Sequence, residues 1–246
     1  MPTDQKTALN YTEIGRRIIV ALDLSNAERA REVVRELGDR PAAYKVGLQL
    51  FTSAGPSFVK ELTDKGSRLF LDLKFHDIPN TVAAACIEAA NLNVWMMNVH
   101  SLGGAEMMKR AFSDVSEHCL RSNMPRPLMI GVSILTSSDG STTKEVGLQG
   151  TVEEQVLRLA RLVELSGLDG VVASPIEAAA IRKTINKKDF LIVTPGIRAS
   201  NATNYDQKRV TTVRSALANG SDYLVIGRPI TQASDMLGAF EELTTE

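Results

Sequence analysis

The feature that most constrains this chain is a rhythm of short apolar runs. Eight of them recur: RIIVALDL (17–24), AAYKVGLQLF (42–51), RLFLDLKF (68–75), VWMMNVH (94–100), PLMIGVSIL (127–135), GVVAS (170–174), FLIVTPGI (190–197) and YLVIGRPI (223–230). Between them lie stretches with helical periodicity. NAERAREVVREL sets Ala27, Ala30, Val33, Val34 and Leu37 on one face, with Ser25 expected to cap its start and Gly38 to end it. EEQVLRLARLVELSG (153–167) does the same with Val156, Leu159, Ala160 and Val163, and closes at Gly167. Strands that are apolar on both faces and alternate with amphipathic helices predict a parallel sheet covered on both sides. Eight such units in 246 residues predict an α/β fold, a (β/α)8 TIM barrel. The barrel is expected to fill residues 17–246 as a single domain, behind an N-terminal extension at 1–16. A doubly wound sheet usually has fewer strands, and here ALDLSNAE follows the first strand where a nucleotide fingerprint would need G-x-G-x-x-G.

Barrels of this kind do chemistry at the C-terminal ends of their strands. The polar residues gather there: Asp23, Lys45, Asp72 with Lys74, His100, Thr136, Arg198, and Gly227 with Arg228. The densest stretch is LFLDLKFHDIPNT (69–81). Alternation along a strand points Asp72 and Lys74 the same way, about 7 Å apart, and turns Leu71 and Leu73 to the other layer. Asp77 lies past the strand end, in a turn fixed by Pro79. Buried ion pairs are weak stabilisers that apolar residues often match. A cluster of two lysines and two or three aspartates at one mouth therefore points to function. Flanking carboxylates favour the charged form of a lysine. Lys74 thus reads as a general acid or a fixed cation beside developing negative charge, and not as a Schiff-base nucleophile.

A second cluster sits on the last two strands. TPGIR (194–198) and IGRPI (226–230) pair Gly196 and Gly227, which let backbone N–H groups approach an anion, with Arg198 and Arg228. Phosphate is the expected ligand of loops seven and eight, with Gln207 of NYDQKRV as a further donor. TSSDGSTTKEVGLQGT (136–151), the longest irregular stretch, is a candidate mobile loop over the site.

Other chemistries find little support. Lys+Arg 28 against Asp+Glu 29 gives no global pull toward nucleic acid or an anionic membrane. No apolar stretch approaches the roughly 20 residues needed to span a bilayer, and MPTDQKTALNYTEIGRR has no apolar signal-peptide core. Cys86 and Cys119 do not make a disulfide framework and suit a reducing cytoplasm. His76, His100 and His118 lack zinc-site spacing, so no metal is expected. Trp95, Met96 and Met97 read as core, and Ser101 has no base arrangement for a nucleophile.

With these residues in hand, LFLDLKFHDIPNT resembles the D-x-K-x-x-D-I-P-x-T signature of the orotidine 5'-phosphate decarboxylase family, in its bacterial form. IVALD, YKVGLQLF, NVHSLGGAEM, LDGVVAS, VTPGIR, DQKRV and VIGRP extend the resemblance across nearly the whole chain. The resemblance implies a cytoplasmic homodimeric (β/α)8 barrel that converts orotidine 5'-monophosphate to UMP and CO2 without metal or organic cofactor. It implies that Lys74 protonates C6 of the pyrimidine, flanked by Asp72 and Lys45. Asp23 and Lys45 would bind ribose hydroxyls, and Thr136 the pyrimidine. Gln207, Arg198, Gly227 and Arg228 would hold the phosphate, with loops 136–151 and 198–209 closing over it. Asp77, Ile78 and Thr81 would reach the partner's site across a dimer interface. Two rivals stay open. One is a magnesium-dependent 3-keto-gulonate 6-phosphate decarboxylase or hexulose-phosphate synthase with the same core, against which Pro79, Thr81 and Gln207 speak. The other is a phosphate-ligand binder without activity, against which the intact Asp72, Lys74 and Asp77 speak.

Overall fold

The computed structural model describes residues 11–197 and 211–245. Eight parallel strands close into a barrel in chain order: β1 Ile18–Ala21, β2 Ala43–Gly47, β3 Leu69–Phe75, β4 Met96–His100, β5 Leu128–Val132, β6 Gly170–Val172, β7 Leu191–Pro195 and β8 Tyr223–Ile226. β8 returns to β1, with Ile18 opposite Leu224. A short helix, α1 (Tyr11–Gly15), precedes the barrel and packs on the last helix. The others in order are α2 Ala27–Leu37, α3 Leu48–Asp64, α4 Pro79–Asn91, α5 Gly104–Arg121, α6 Gly140–Glu145, α7 Val152–Leu165, α8 Ala178–Thr184, α9 Val213–Ala218, α10 Arg228–Thr231 and α11 Met236–Thr245.

Strand alternation builds two apolar layers. Ile18, Val20, Tyr44, Val46, Leu69, Leu71, Met97, Val99, Met129 and Ile192 face outward and pack under the helices. Ile19, Ala21, Ala43, Phe70, Met96, Ile130, Val193 and Val225 face inward and fill the lumen. Each aliphatic side chain so buried contributes roughly 1.5–3 kcal/mol. The lumen is closed below by Trp95, which meets Tyr223 edge-on and carries the Arg68 guanidinium 4.2 Å above its ring centre. That end is further fixed by two aspartates placed just before strands. Asp169 takes a fork of bonds from Arg126 at 2.7 and 2.9 Å and accepts the Met129 N–H at 2.8 Å. Asp222 plays a similar part through one oxygen, Oδ2, which accepts from Arg182 Nη2 and from the Ile192 N–H, while Arg182 gives its other donors to the Gly220 and Phe190 carbonyls. The C-terminal ends of the strands open onto a large cavity, and a smaller one lies outside the barrel base beside Arg16, Ala42 and Arg68.

Several expected boundaries move. The run 42–51 stops being a strand at Gly47, because LQLF supplies the first turn of α3. The run 223–230 ends at Ile226, and Arg228 opens α10 with Pro229 behind it, a position whose fixed φ suits a helix start. Asn26, not Ser25, caps α2: its Oδ1 accepts the N–H groups of Glu28 and Arg29, a bond the shorter serine one residue earlier does not make. Gly38 ends α2 at φ 59° as expected. The 136–151 stretch is not wholly irregular, since Asp139 caps the short α6 inside it.

Candidate active site

The first four strands and the turn after β1 bring five polar groups to the barrel mouth: Asp23 just beyond β1, Lys45 on β2, Asp72 and Lys74 on β3, and Asn98 on β4. Lys45 rises from β2 with its side chain only 8% exposed, and Asp72 from β3 is 13% exposed. Charges this dry need partners, and they find each other. Lys45 Nζ donates to Asp23 Oδ1 at 2.7 Å and sits 3.2 Å from Asp72 Oδ2. Lys74 Nζ donates to Asp72 Oδ1 at 2.6 Å. The result is a chain of alternating charge, Asp23–Lys45–Asp72–Lys74, lying on an apolar floor of Ala21, Phe70 and Val225.

The electrostatics follow from that order. Burial alone would raise the Asp72 pKa, but Lys45, Lys74 and the hydrogen bonds from Lys74 and Asn98 outweigh it and hold the carboxyl below its ordinary value. Burial likewise pulls Lys45 down, yet Asp72 and Asp23 more than compensate and leave its pKa raised. Asp72 and Lys45 therefore stay charged in a dry site. Gly47 makes the crossing possible: a Cβ there would stand 2.9 Å from Asp23 Oδ1 and 3.0 Å from Lys45 Nζ.

Strand β3 departs from the regular alternation on which the Asp72–Lys74 argument rested. Its register with β4 runs Leu71 to Met97 and resumes at Phe75 to Val99, so residues 72–74 bulge opposite Asn98 alone. Lys74 takes φ 52°, a left-handed conformation uncommon for a residue with a side chain. The two side chains still converge, through the bulge and not through an even pleat. Asn98, absent from the expected site residues, bridges the gap. Its only sequence signal was a polar residue at an inward position of an otherwise apolar strand, VWMMNVH.

The network lines a cavity of ≈ 1300 Å³. Asp23, Lys45, Asp72, Lys74, Thr136, Gly196, Gly227 and Arg228 all border it, so both expected clusters open into one space. Gly196 adopts φ 87°, available at no steric cost only to glycine. Arg198 and Gln207 lie outside the described residues. Asp77, Ile78 and Thr81 are exposed and do not border the cavity of their own chain. Asp77 Oδ1 accepts the Ile78 N–H at 2.6 Å, and Ile78 is 66% exposed where α4 begins. His76 and His100 stack with ring centres 5.4 Å apart, and His100 Nδ1 accepts the Leu102 N–H at 3.3 Å. The buried Ser101 hydroxyl donates to the Val132 carbonyl. Among the described residues no group of three or more His, Cys, Asp or Glu is arranged to hold a metal ion.

Fold and site together define a (β/α)8 enzyme that presents a fixed ammonium–carboxylate array to a small ligand. The chain belongs to the Orotidine 5'-phosphate decarboxylase / HUMPS family, whose model matches residues 16–243. The orotidine 5'-phosphate decarboxylase of Nitrosococcus oceani is 51% identical over 94% of this chain and 97% of its own. That of Hydrogenovibrio crunogenus is 50% identical over 92% and 94%. Among solved structures, the orotidine 5'-phosphate decarboxylase of Lactobacillus acidophilus superimposes with a TM-score of 0.80 at 39% identity, covering 94% of this chain and 98% of the other.

Proposed function

We propose that this chain decarboxylates orotidine 5'-monophosphate to UMP and CO2, with the Lys74 ammonium protonating C6. The observation that carries the mechanism is the grip on Asp72, which fixes Lys74 Nζ 2.6 Å away on the open side of the cavity. The hard species in this reaction is a carbanion at C6. As the C6–carboxylate bond breaks, its electron pair stays on carbon, and an ammonium already in place stabilises that charge without reorganising. The same group then gives C6 its proton and recovers one from water. Asp72 lies where the departing carboxylate would meet a like charge, which favours release of CO2.

Asp23 and Lys45 would take the ribose hydroxyls and Thr136 the pyrimidine edge. Gly196, Gly227 and Arg228 would anchor the phosphate, joined by Arg198 and Gln207. Binding energy collected at the phosphate end can then drive closure and desolvation at the reacting carbon. The functional unit is a homodimer in which Asp77, Ile78 and Thr81 complete the partner's site. Supporting this are exposed apolar residues at the same rim, Leu48, Ile78, Leu102 and Leu135, on a face where isolated chains gain nothing by showing them. Two free buried cysteines fit a reducing cytoplasm, and no described helix is long and apolar enough to cross a membrane.

The test is the fall in orotidylate absorbance, run with and without EDTA. Chelator-insensitive turnover is expected, whereas activity restored only by magnesium on a sugar-phosphate substrate would favour the rival branch of the family. Lys74→Ala should abolish turnover while leaving UMP binding largely intact. Mixing inactive Lys74→Ala and Asp77→Ala subunits should regenerate about a quarter of the sites, because each mixed dimer of two-fold symmetry holds one intact site. No recovery after verified subunit exchange would refute sharing.

A further inference from the structure

Asn98 is the least exposed polar group in the network, at 1%. It has no charge to contribute, yet it touches both partners of the shortest ion pair in the cluster. Its carboxamide oxygen accepts the Lys74 backbone N–H at 2.8 Å, and its Nδ2 donates to Asp72 Oδ1 at 2.7 Å. The orientation of the amide is fixed by chemistry: a backbone N–H can only donate and an ionised carboxylate can only accept.

These two bonds fall at the irregularity in β3. A backbone N–H in an even parallel ladder finds a carbonyl on the next strand. At the bulge the Lys74 N–H turns instead to the Asn98 side chain, while Lys74 itself is held in the left-handed region. Such conformations persist only where the surroundings over-determine them. An apolar residue at position 98 would leave a buried N–H without an acceptor and take one donor from Asp72 Oδ1.

We infer that Asn98 is a positioning residue: it locks the left-handed turn at Lys74 and holds Asp72 so that Oδ1 serves Lys74 while Oδ2 serves Lys45. This rests on the reading of Lys74 as proton donor. Asparagine suits the post because it offers one donor and one acceptor at neutral charge. Aspartate could accept from Lys74 N–H but would set a second carboxylate against Asp72. Only a protonated aspartate reproduces both bonds, its carbonyl oxygen accepting and its hydroxyl donating. The charged or titratable groups facing position 98 are Asp72 and Lys74 on β3, Lys45 on β2 beyond Asp72, and His100 two residues along β4. From β5 come only Ile130 and Val132.

The experiment compares Asn98→Ala, Asn98→Asp and Lys74→Ala in steady-state decarboxylation of orotidine 5'-monophosphate across the range where the wild type is stable, with UMP affinity measured in parallel. Asn98→Ala should lose roughly 100-fold in kcat, the scale of a 1 Å misplacement of a reacting group. KM and UMP affinity should change only a few-fold. Asn98→Asp should show a similar loss at alkaline pH that is recovered as the pH falls and the introduced carboxyl takes up a proton, which restores its donor to Asp72. A residue that merely filled space would not change the pH profile. Should the alanine variant fail to fold, the near-isosteric aspartate carries the test alone. A wild-type kcat in Asn98→Ala, or an Asn98→Asp deficit that is flat with pH, overturns the inference. A wild-type kcat in Lys74→Ala would instead bring down the lysine assignment, and the two failures are thereby told apart.

Discussion

Lys45 joins the exposed and buried ends of the charge network, and replacing it with methionine separates their energetics. Methionine keeps the apolar stem but deletes the ammonium. Asp23, 56% exposed, is rehydrated at little cost, whereas Asp72, 13% exposed, loses the cation 3.2 Å from Oδ2. Breaking a buried pair costs about 3–5 kcal/mol. Lys74 and Asn98 still bond Asp72, which places the expected loss at the low end, about 3 kcal/mol. For a chain of this length that is a fall in Tm of roughly 6–12 °C. Asp23→Asn removes the solvated partner and should cost about 0–1 kcal/mol, no more than a few degrees. The pH dependence carries a sign. In the wild type the Asp72 pKa is depressed, so its ionised form contributes stability above the ordinary carboxylate range, and that stability is lost as pH falls through the folded value. In Lys45→Met the upward push of burial loses a counterweight and the folded pKa rises. The deficit should therefore narrow as the pH is lowered from about 7 toward about 4.5, through the approach to the ordinary carboxylate range. Differential scanning calorimetry of the three proteins at both pH values measures it. Equal losses for the two variants, or a gap that widens on acidification, would refute the reasoning.

Two further outcomes follow from groups beside the site and behind it. Burial first, then His76 and Lys74, push the His100 imidazole down to about 4. An unfolded histidine near ~6.5 takes a proton the fold refuses, so stability should drop as pH falls from about 6.5 to about 4. His100→Gln should flatten that slope by ~1–2 kcal/mol once partial solvent screening is allowed for, as read by urea unfolding, and an unchanged slope would sink the assignment. Gly131 of β5 has no room for a side chain, because an added Cβ would run into the methyl groups of Val163 on α7. Gly131→Ala should cost about 1–3 kcal/mol by overpacking, and Val163→Ala in the same chain should restore most of it, whereas additive urea-midpoint losses would refute the contact.

Much of the architecture was legible because the barrel's rule is simple: aliphatic runs at a regular interval, with polar residues only where they end. What slipped were the ends themselves. LQLF and RPI are as compatible with a strand as with the opening of a helix, and periodicity over so few residues cannot separate the two. Asp72, Lys45 and Asp23 could be placed because charge on a buried strand is rare enough to demand a reason. The bulge at 72–74 could not, since no glycine marks it and LDLKF keeps perfect alternation on paper. Asn98 shows in the sequence only as a polar residue at an inward position, and its role could not be read from that, because its partners exist only once β3 leaves its register.

The division of labour around the mouth has a consequence for how such a chain can change. Asp23, Lys45, Asp72, Lys74 and Asn98 are all supplied by the first four strands and the turns that follow them, while Pro195, Gly196, Gly227 and Arg228 come from the last two. Under the function proposed above, one half of the polypeptide would carry the reacting end and the other the handle. On that proposal, substitutions accumulating in residues 18–100 would redirect the chemistry while the grip on a phosphorylated ligand was inherited untouched. A single family that joins two enzyme names over one scaffold is what that modularity would produce.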